Sequence, residues 1–181
     1  MGGMDFLSKG IDSLNHSVVQ STYDIRTLVD YLELQGIENI GISGVSLGGY
    51  TTSLMAGLDD RFKFAIPVVP IISLADAMME WKPLDNILKL AMRYFDVSMA
   101  DVRATIALHS PLSRPALLPT ERLMIVGGMG DLLATPRHAE ALQEHWGNCR
   151  IHWHPGGHAI PRKPADTNKA KKEFLQSIEF I

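Results

Sequence analysis

The chain has 181 residues, 46% of them apolar and 20% charged, with a net charge of −3 and a single cysteine, Cys149. This length suits one domain (residues 1–181) with a sizeable core, and the composition is not that of a disordered segment. One cysteine excludes an internal disulfide framework and leads us to expect a reducing, cytoplasmic setting.

Basic residues gather only at Arg162, Lys163, Lys169, Lys171 and Lys172, in a tail expected to be the solvated face of a helix. No nucleic-acid partner is expected from that pattern. No run is apolar enough to span a bilayer, and Met1-Gly2-Gly3-Met4 does not open a leader with a basic region and apolar run. A soluble, unexported protein without a membrane partner is expected.

In chain order, Leu14, Val18, Ile25, Leu28, Val29 and Leu32 recur at steps that predict an amphipathic helix over 11–34, stopped by Gly36. None of the residues before it reads as a strand. The β-branched run 37–43 predicts a buried strand, 51–58 a helix, and 62–69 a second strand closed by Pro70. Residues 73–115 break the alternation. They carry Met78, Met79, Trp81, Met92, Tyr94, Phe95 and Met99, and Pro83 divides two helical stretches, so a helical insertion is expected. A strand at 123–126, a helix at 136–146, a strand at 149–153 and a helix from about 164 to 180 complete the chain. Four strand–helix alternations predict an α/β fold with a parallel sheet, right-handed crossovers and helices on both faces.

Gly44-Val45-Ser46-Leu47-Gly48-Gly49 falls between the first strand and its helix. A serine at such a turn sits in a strained backbone with its hydroxyl above the sheet. Glycine is expected on both sides because a Cβ at Gly44 or Gly48 would strike neighbouring backbone. The helix beginning at Leu47 turns its free amides and its dipole toward the same spot. The plainer reading is a glycine-rich turn without chemistry. A phosphate loop is excluded because no Gly-Lys-Ser/Thr follows.

A serine needs an imidazole to take its proton and a carboxylate to fix that imidazole's tautomer. Asp131 follows the third strand in Gly127-Gly128-Met129-Gly130-Asp131, and His158 follows the fourth in Pro155-Gly156-Gly157-His158. The order Ser, acid, His, each after a strand, fits a triad of Ser46, Asp131 and His158. A helix cap for Asp131 and a surface histidine for His158 are the alternatives. His152 and His154 share a strand face, but without a nearby carboxylate no metal is expected. The glycines at 127, 128 and 130 lack a full dinucleotide fingerprint, so no cofactor is expected.

These three motifs resemble those of the α/β-hydrolase superfamily, most closely its bacterial esterase-like members, over nearly the whole chain. The resemblance implies that Ser46 is the nucleophile, His158 the general base and then acid, and Asp131 the orienting carboxylate. It also implies that the Leu47 N–H is one oxyanion donor, with the second on a loop after an earlier strand, upstream of the first helix. The strand at 37–43 would then be an exposed edge, and self-association into a homo-oligomer such as a dimer is expected.

The insertion at 73–115 falls where the family places a cap. Its methionine and aromatic content suits an apolar pocket, or equally the packing of a helical pair. The resulting expectation is a small-molecule carboxylic ester substrate. The alternatives are a thioesterase or peptidase with the same triad, or a non-catalytic assembly or binding protein.

Overall fold

A computed structural model of the chain describes residues 3–82, 84–159 and 162–181. Its sheet has four parallel strands in sequential order: β1 (Ile42–Val45), β2 (Ala65–Val68), β3 (Met124–Gly128) and β4 (Arg150–His154). Helix α1 (Gly3–Leu34) precedes β1 and α2 (Leu47–Ala56) follows it. Three helices, α3 (Leu74–Glu80), α4 (Leu84–Phe95) and α5 (Met99–Ile106), with short 3-10 turns after them, lie between β2 and β3. Helix α6 (Pro136–His145) links β3 to β4, and α7 (Pro164–Ser177) follows β4.

Alternation along the strands sorts side chains to two faces. On one, Ala65 and Ile125 pack with Val29 of α1, Met55 of α2 and Leu142 of α6. On the other, Ile66, Met124 and Val126 pack with Phe174 of α7. Both faces of the inner strands β2 and β3 are therefore dry, as parallel strands require, whereas β1, expected to be buried, is a half-exposed edge with Val45 59% exposed. Gly127 is small because the Trp153 ring on β4 fills the space that a Cβ would take.

Several sequence expectations shift. The first helix starts at Gly3 rather than at residue 11, so nearly all of the segment before it is helical as well. Its face is less regular than the spacing implied: Val18 and Val29 are buried, whereas Leu28 is exposed beside the free edge of β1. The strand expected at 37–43 is β1, later and shorter: ahead of it the Ile37 N–H turns back to the Leu32 carbonyl and the Ile40 carbonyl takes a lone bond from the Lys63 N–H at 2.7 Å, and a regular ladder starts where Ile42 meets Phe64 and Ala65. The insertion holds three helices rather than two. Ser98 opens the extra one with a reciprocal cap, its hydroxyl accepting from the Asp101 N–H while the Asp101 carboxylate accepts from the Ser98 N–H. Pro83, expected to divide the first two, lies outside the described residues.

Candidate active site

The turn from β1 into α2 carries Ser46 at φ 57 and ψ −115, a backbone region that costs a non-glycine residue on the order of 1–3 kcal/mol. Two bonds hold it there. The Ser46 N–H donates to the Val68 carbonyl at 2.9 Å, tying the turn to β2, and the Ser46 carbonyl accepts from the Tyr50 N–H at 2.9 Å as the first bond of α2. A Cβ on Gly44 would overlap the carbonyl of Gly48, so the close crossing of strand and helix demands glycine there. The same expectation for Gly48 is wrong: a Cβ there would meet nothing within 4 Å, because Gly48 faces the groove along the unpaired edge of β1. The second tight position is instead Gly49, where a Cβ would sit 3.0 Å from the Pro70 Cα.

Asp131 and His158 sit on the loops after β3 and β4, and those loops are stitched together past the strand ends. The Met129 N–H donates to the His154 carbonyl at 2.9 Å, and the Gly130 N–H to the Gly156 carbonyl at 3.0 Å. A Cβ on Gly128 would sit 3.1 Å from the Gly156 oxygen, which explains the small residue on that approach. Asp131 does not cap α6, contrary to the plainer reading. Its Oδ1 accepts from the amides of Leu133 and Ala134, both at 2.9 Å, and Thr135 takes the cap position without a side-chain bond. The other oxygen, Oδ2, lies 2.7 Å from His158 Nδ1, and His158 Nε2 lies 2.7 Å from Ser46 Oγ. The Asp131 side chain is fully buried and His158 is 19% exposed, so this chain runs from a dry carboxylate to a partly open hydroxyl.

The direction of the protons follows. A buried carboxylate accepts, so His158 carries its proton on Nδ1 and its bare Nε2 accepts the serine O–H. Leu47, at the first position of α2, has an amide without an intrahelical partner. Among the described residues no strand precedes β1, so the loop implied for a second oxyanion donor has no counterpart there.

Some organising residues carry no obvious sequence signal. His154, considered above as a metal ligand, is buried and accepts from the Gly156 N–H at 3.1 Å through Nδ1, shaping the turn that delivers His158. His152 points elsewhere, to Thr167 of α7 at 3.2 Å. No cluster of three potential ligands is placed around a common point among the described residues. Behind Ser46, the buried Tyr50 hydroxyl lies 2.6 Å from His109 Nδ1, and His109 Nε2 lies 2.8 Å from Asn15, which pins α2 to α1 and the end of the insertion.

A cleft of about 1160 Å³ opens beside His158 between the insertion and the acid loop. Of the methionine and aromatic residues expected to form an apolar pocket, only Met79 and Trp81 line it, joined by Leu132 and Leu133. Tyr94 is 81% exposed and packs edge-on to Phe95, so that end of the segment faces outward. Arg162, expected on the solvated face of the last helix, precedes α7 and lines this cleft.

The chain is similar to several known proteins. Two uncharacterized proteins from strains of Mycobacterium tuberculosis are 37% identical over 145 residues, covering 79% of this chain and 34% of each relative, so the chain spans about a third of their length. Among solved structures, a puromycin-hydrolyzing peptidase of Mycobacterium tuberculosis superposes with a TM-score of 0.66 at 18% identity, over 88% of this chain and 25% of that one. An acetyl xylan esterase from Paenibacillus gives 0.57 at 21%, over 75% and 45%. An enol-lactonase from Burkholderia xenovorans gives 0.55 at 18%, over 88% and 73%. At these identities the superpositions establish the fold, which is that of the α/β-hydrolases. The family is fixed by sequence: from residue 4 to residue 177 the chain matches, and so belongs to, the prolyl oligopeptidase family.

Proposed function

We propose that this chain is the catalytic unit of a serine hydrolase acting on carboxylic esters through an acyl-enzyme. The observation that carries the proposal is the unbroken relay from Asp131 Oδ2 through His158 to Ser46 Oγ, with both contacts at 2.7 Å.

In the proposed reaction, Ser46 Oγ attacks the substrate carbonyl as its proton passes to His158 Nε2. The resulting imidazolium is stabilised by Asp131, which stays ionised. The oxygen of the tetrahedral intermediate gathers charge where the Leu47 amide and the N-terminus of α2 point. Collapse expels the alcohol with the proton from His158, leaving an ester on Ser46. Water then attacks as it gives a proton to the same nitrogen, and the second collapse releases the acid while His158 returns that proton to Ser46 Oγ.

A peptidase reading uses the same steps with an amine as leaving group, and membership of a family named for an oligopeptidase favours considering it. A short-chain p-nitrophenyl ester and an aminoacyl p-nitroanilide, each assayed with wild type and Ser46→Ala, decide between the two. Ester turnover lost in Ser46→Ala, with little anilide cleavage, supports the esterase. Anilide cleavage that exceeds ester cleavage favours the peptidase. Turnover of both that is equal in Ser46→Ala rejects both and supports a non-catalytic protein.

A further inference from the structure

The walls of the cleft beside His158 carry an excess of positive charge. Lys82, Lys89, Arg137 and Arg162 line it, against two carboxylates, Glu80 and Asp85. Asp85 Oδ2 lies 3.2 Å from Lys89, so that pair offsets itself, and Glu80, which accepts from the Thr135 hydroxyl at 3.0 Å, is left as one carboxylate against three cations. Lys82, Arg137 and Arg162 have no carboxylate within ion-pair distance among the described residues. They come from three separate places in the chain: the turn just past α3, the first turn of α6 and the segment before α7. No helix-surface pairing explains their convergence, since residues on different elements meet only through the tertiary fold.

Resting on the serine-hydrolase proposal, we infer that this cleft selects substrates that carry an anionic group, a carboxylate in the simplest case, with Lys82, Arg137 and Arg162 as specificity-determining residues. The apolar part of such a substrate lies along Met79, Trp81 and Leu132, and its charged end reaches the cationic rim. Guanidinium groups suit this role because their fork matches the two oxygens of a carboxylate.

The test compares 4-nitrophenyl hydrogen glutarate with 4-nitrophenyl butyrate, which share a leaving group and differ by the terminal carboxylate. After correction for uncatalysed rates, kcat/KM is expected to favour the anion about tenfold at low ionic strength, the scale of one charge-assisted contact, and less so as salt is raised. The ratio should collapse toward one in Arg137→Gln/Arg162→Gln, recover in part in Arg137→Lys/Arg162→Lys, and stay unchanged in Arg122→Gln, a cation outside the cleft. A wild-type ratio at or below one, or a ratio indifferent to the double substitution, overturns the inference while leaving Ser46-dependent hydrolysis standing. If neither ester is turned over, the hydrolase proposal fails. Calorimetric titration of Ser46→Ala with the same two compounds still decides the inference, with equal affinity counting against it.

Discussion

The two glycines flanking the Ser46 turn, Gly44 and Gly48, look equivalent in sequence and are not equivalent in space. At Gly44 an alanine Cβ would overlap the Gly48 carbonyl carbon and oxygen and lie 2.9 Å from Thr52 Oγ1. Two of these obstacles are backbone atoms of the first turn of α2, so no rotamer change relieves them. Restoring ordinary carbon contact distances requires β1 and α2 to part by about 1 Å. Overpacking of this kind costs about 1–3 kcal/mol of stability, and a shift of that size in a nucleophile costs about a hundredfold in rate. Gly48→Ala meets open space at a helical position without positive φ, and exchanging a helical glycine for alanine stabilises by about 0.4–1 kcal/mol. Urea denaturation and p-nitrophenyl acetate hydrolysis, run in parallel on both variants, read out the two effects. Equal losses in Gly44→Ala and Gly48→Ala would refute the packing argument. So would a harmless Gly44→Ala.

Three further outcomes are expected. Asp131→Asn keeps an oxygen for the Leu133 and Ala134 amides but cannot hold His158 in the required tautomer, so kcat should fall about 10⁴-fold with Tm little changed, whereas Asp131→Ala should also lower Tm by opening the loop; equal Tm for the two would contradict the split role of the carboxylate. Burial holds the imidazoles of His109, His138 and His154 below their ordinary value of 6.5, so between those lowered values and 6.5 the unfolded chain binds more protons than the folded one. Their contribution to stability is complete above 6.5 and is lost as pH falls, so scanning calorimetry should show Tm dropping from about pH 7.5 to about pH 5.5; a flat profile there would reject the buried-neutral assignment. We also propose that the chain self-associates through the free edge of β1, which among the described residues is paired on its β2 side only and leaves Val45 59% exposed; size-exclusion chromatography with light scattering should report a dimer or larger species at micromolar concentration, and a clean monomer would count against it.

Much of the fold could be read from local pattern. The apolar runs at 62–69 and 123–126 mark the buried strands β2 and β3 because a parallel sheet dries both faces of its inner strands, and helical spacing marks α1. Boundaries were less legible, since a strand extends only as far as its neighbour offers backbone partners. Of residues 37–41, the Ile40 carbonyl alone takes a bond from the segment leading into β2, from the Lys63 N–H, and that is too little for a strand. The third helix of the insertion was missed because Ser98 to Asp101 signals a start only if the side chains turn back on the backbone, as they do here.

For the site, sequence alone determined the residue types, their order along the chain and their placement after strands. That was enough to nominate Ser46, Asp131 and His158, because the chemistry of a serine nucleophile requires those partners. Only the tertiary structure decided that Asp131 divides its oxygens between its own loop and His158, that His154 shapes the histidine turn, that Gly48 is free where Gly44 is not, and that three cations from separate elements meet at one cleft. Each of these depends on distances between segments remote in the chain. Such distances are set by how helices pack across a twisted sheet, and no local pattern of residues encodes them.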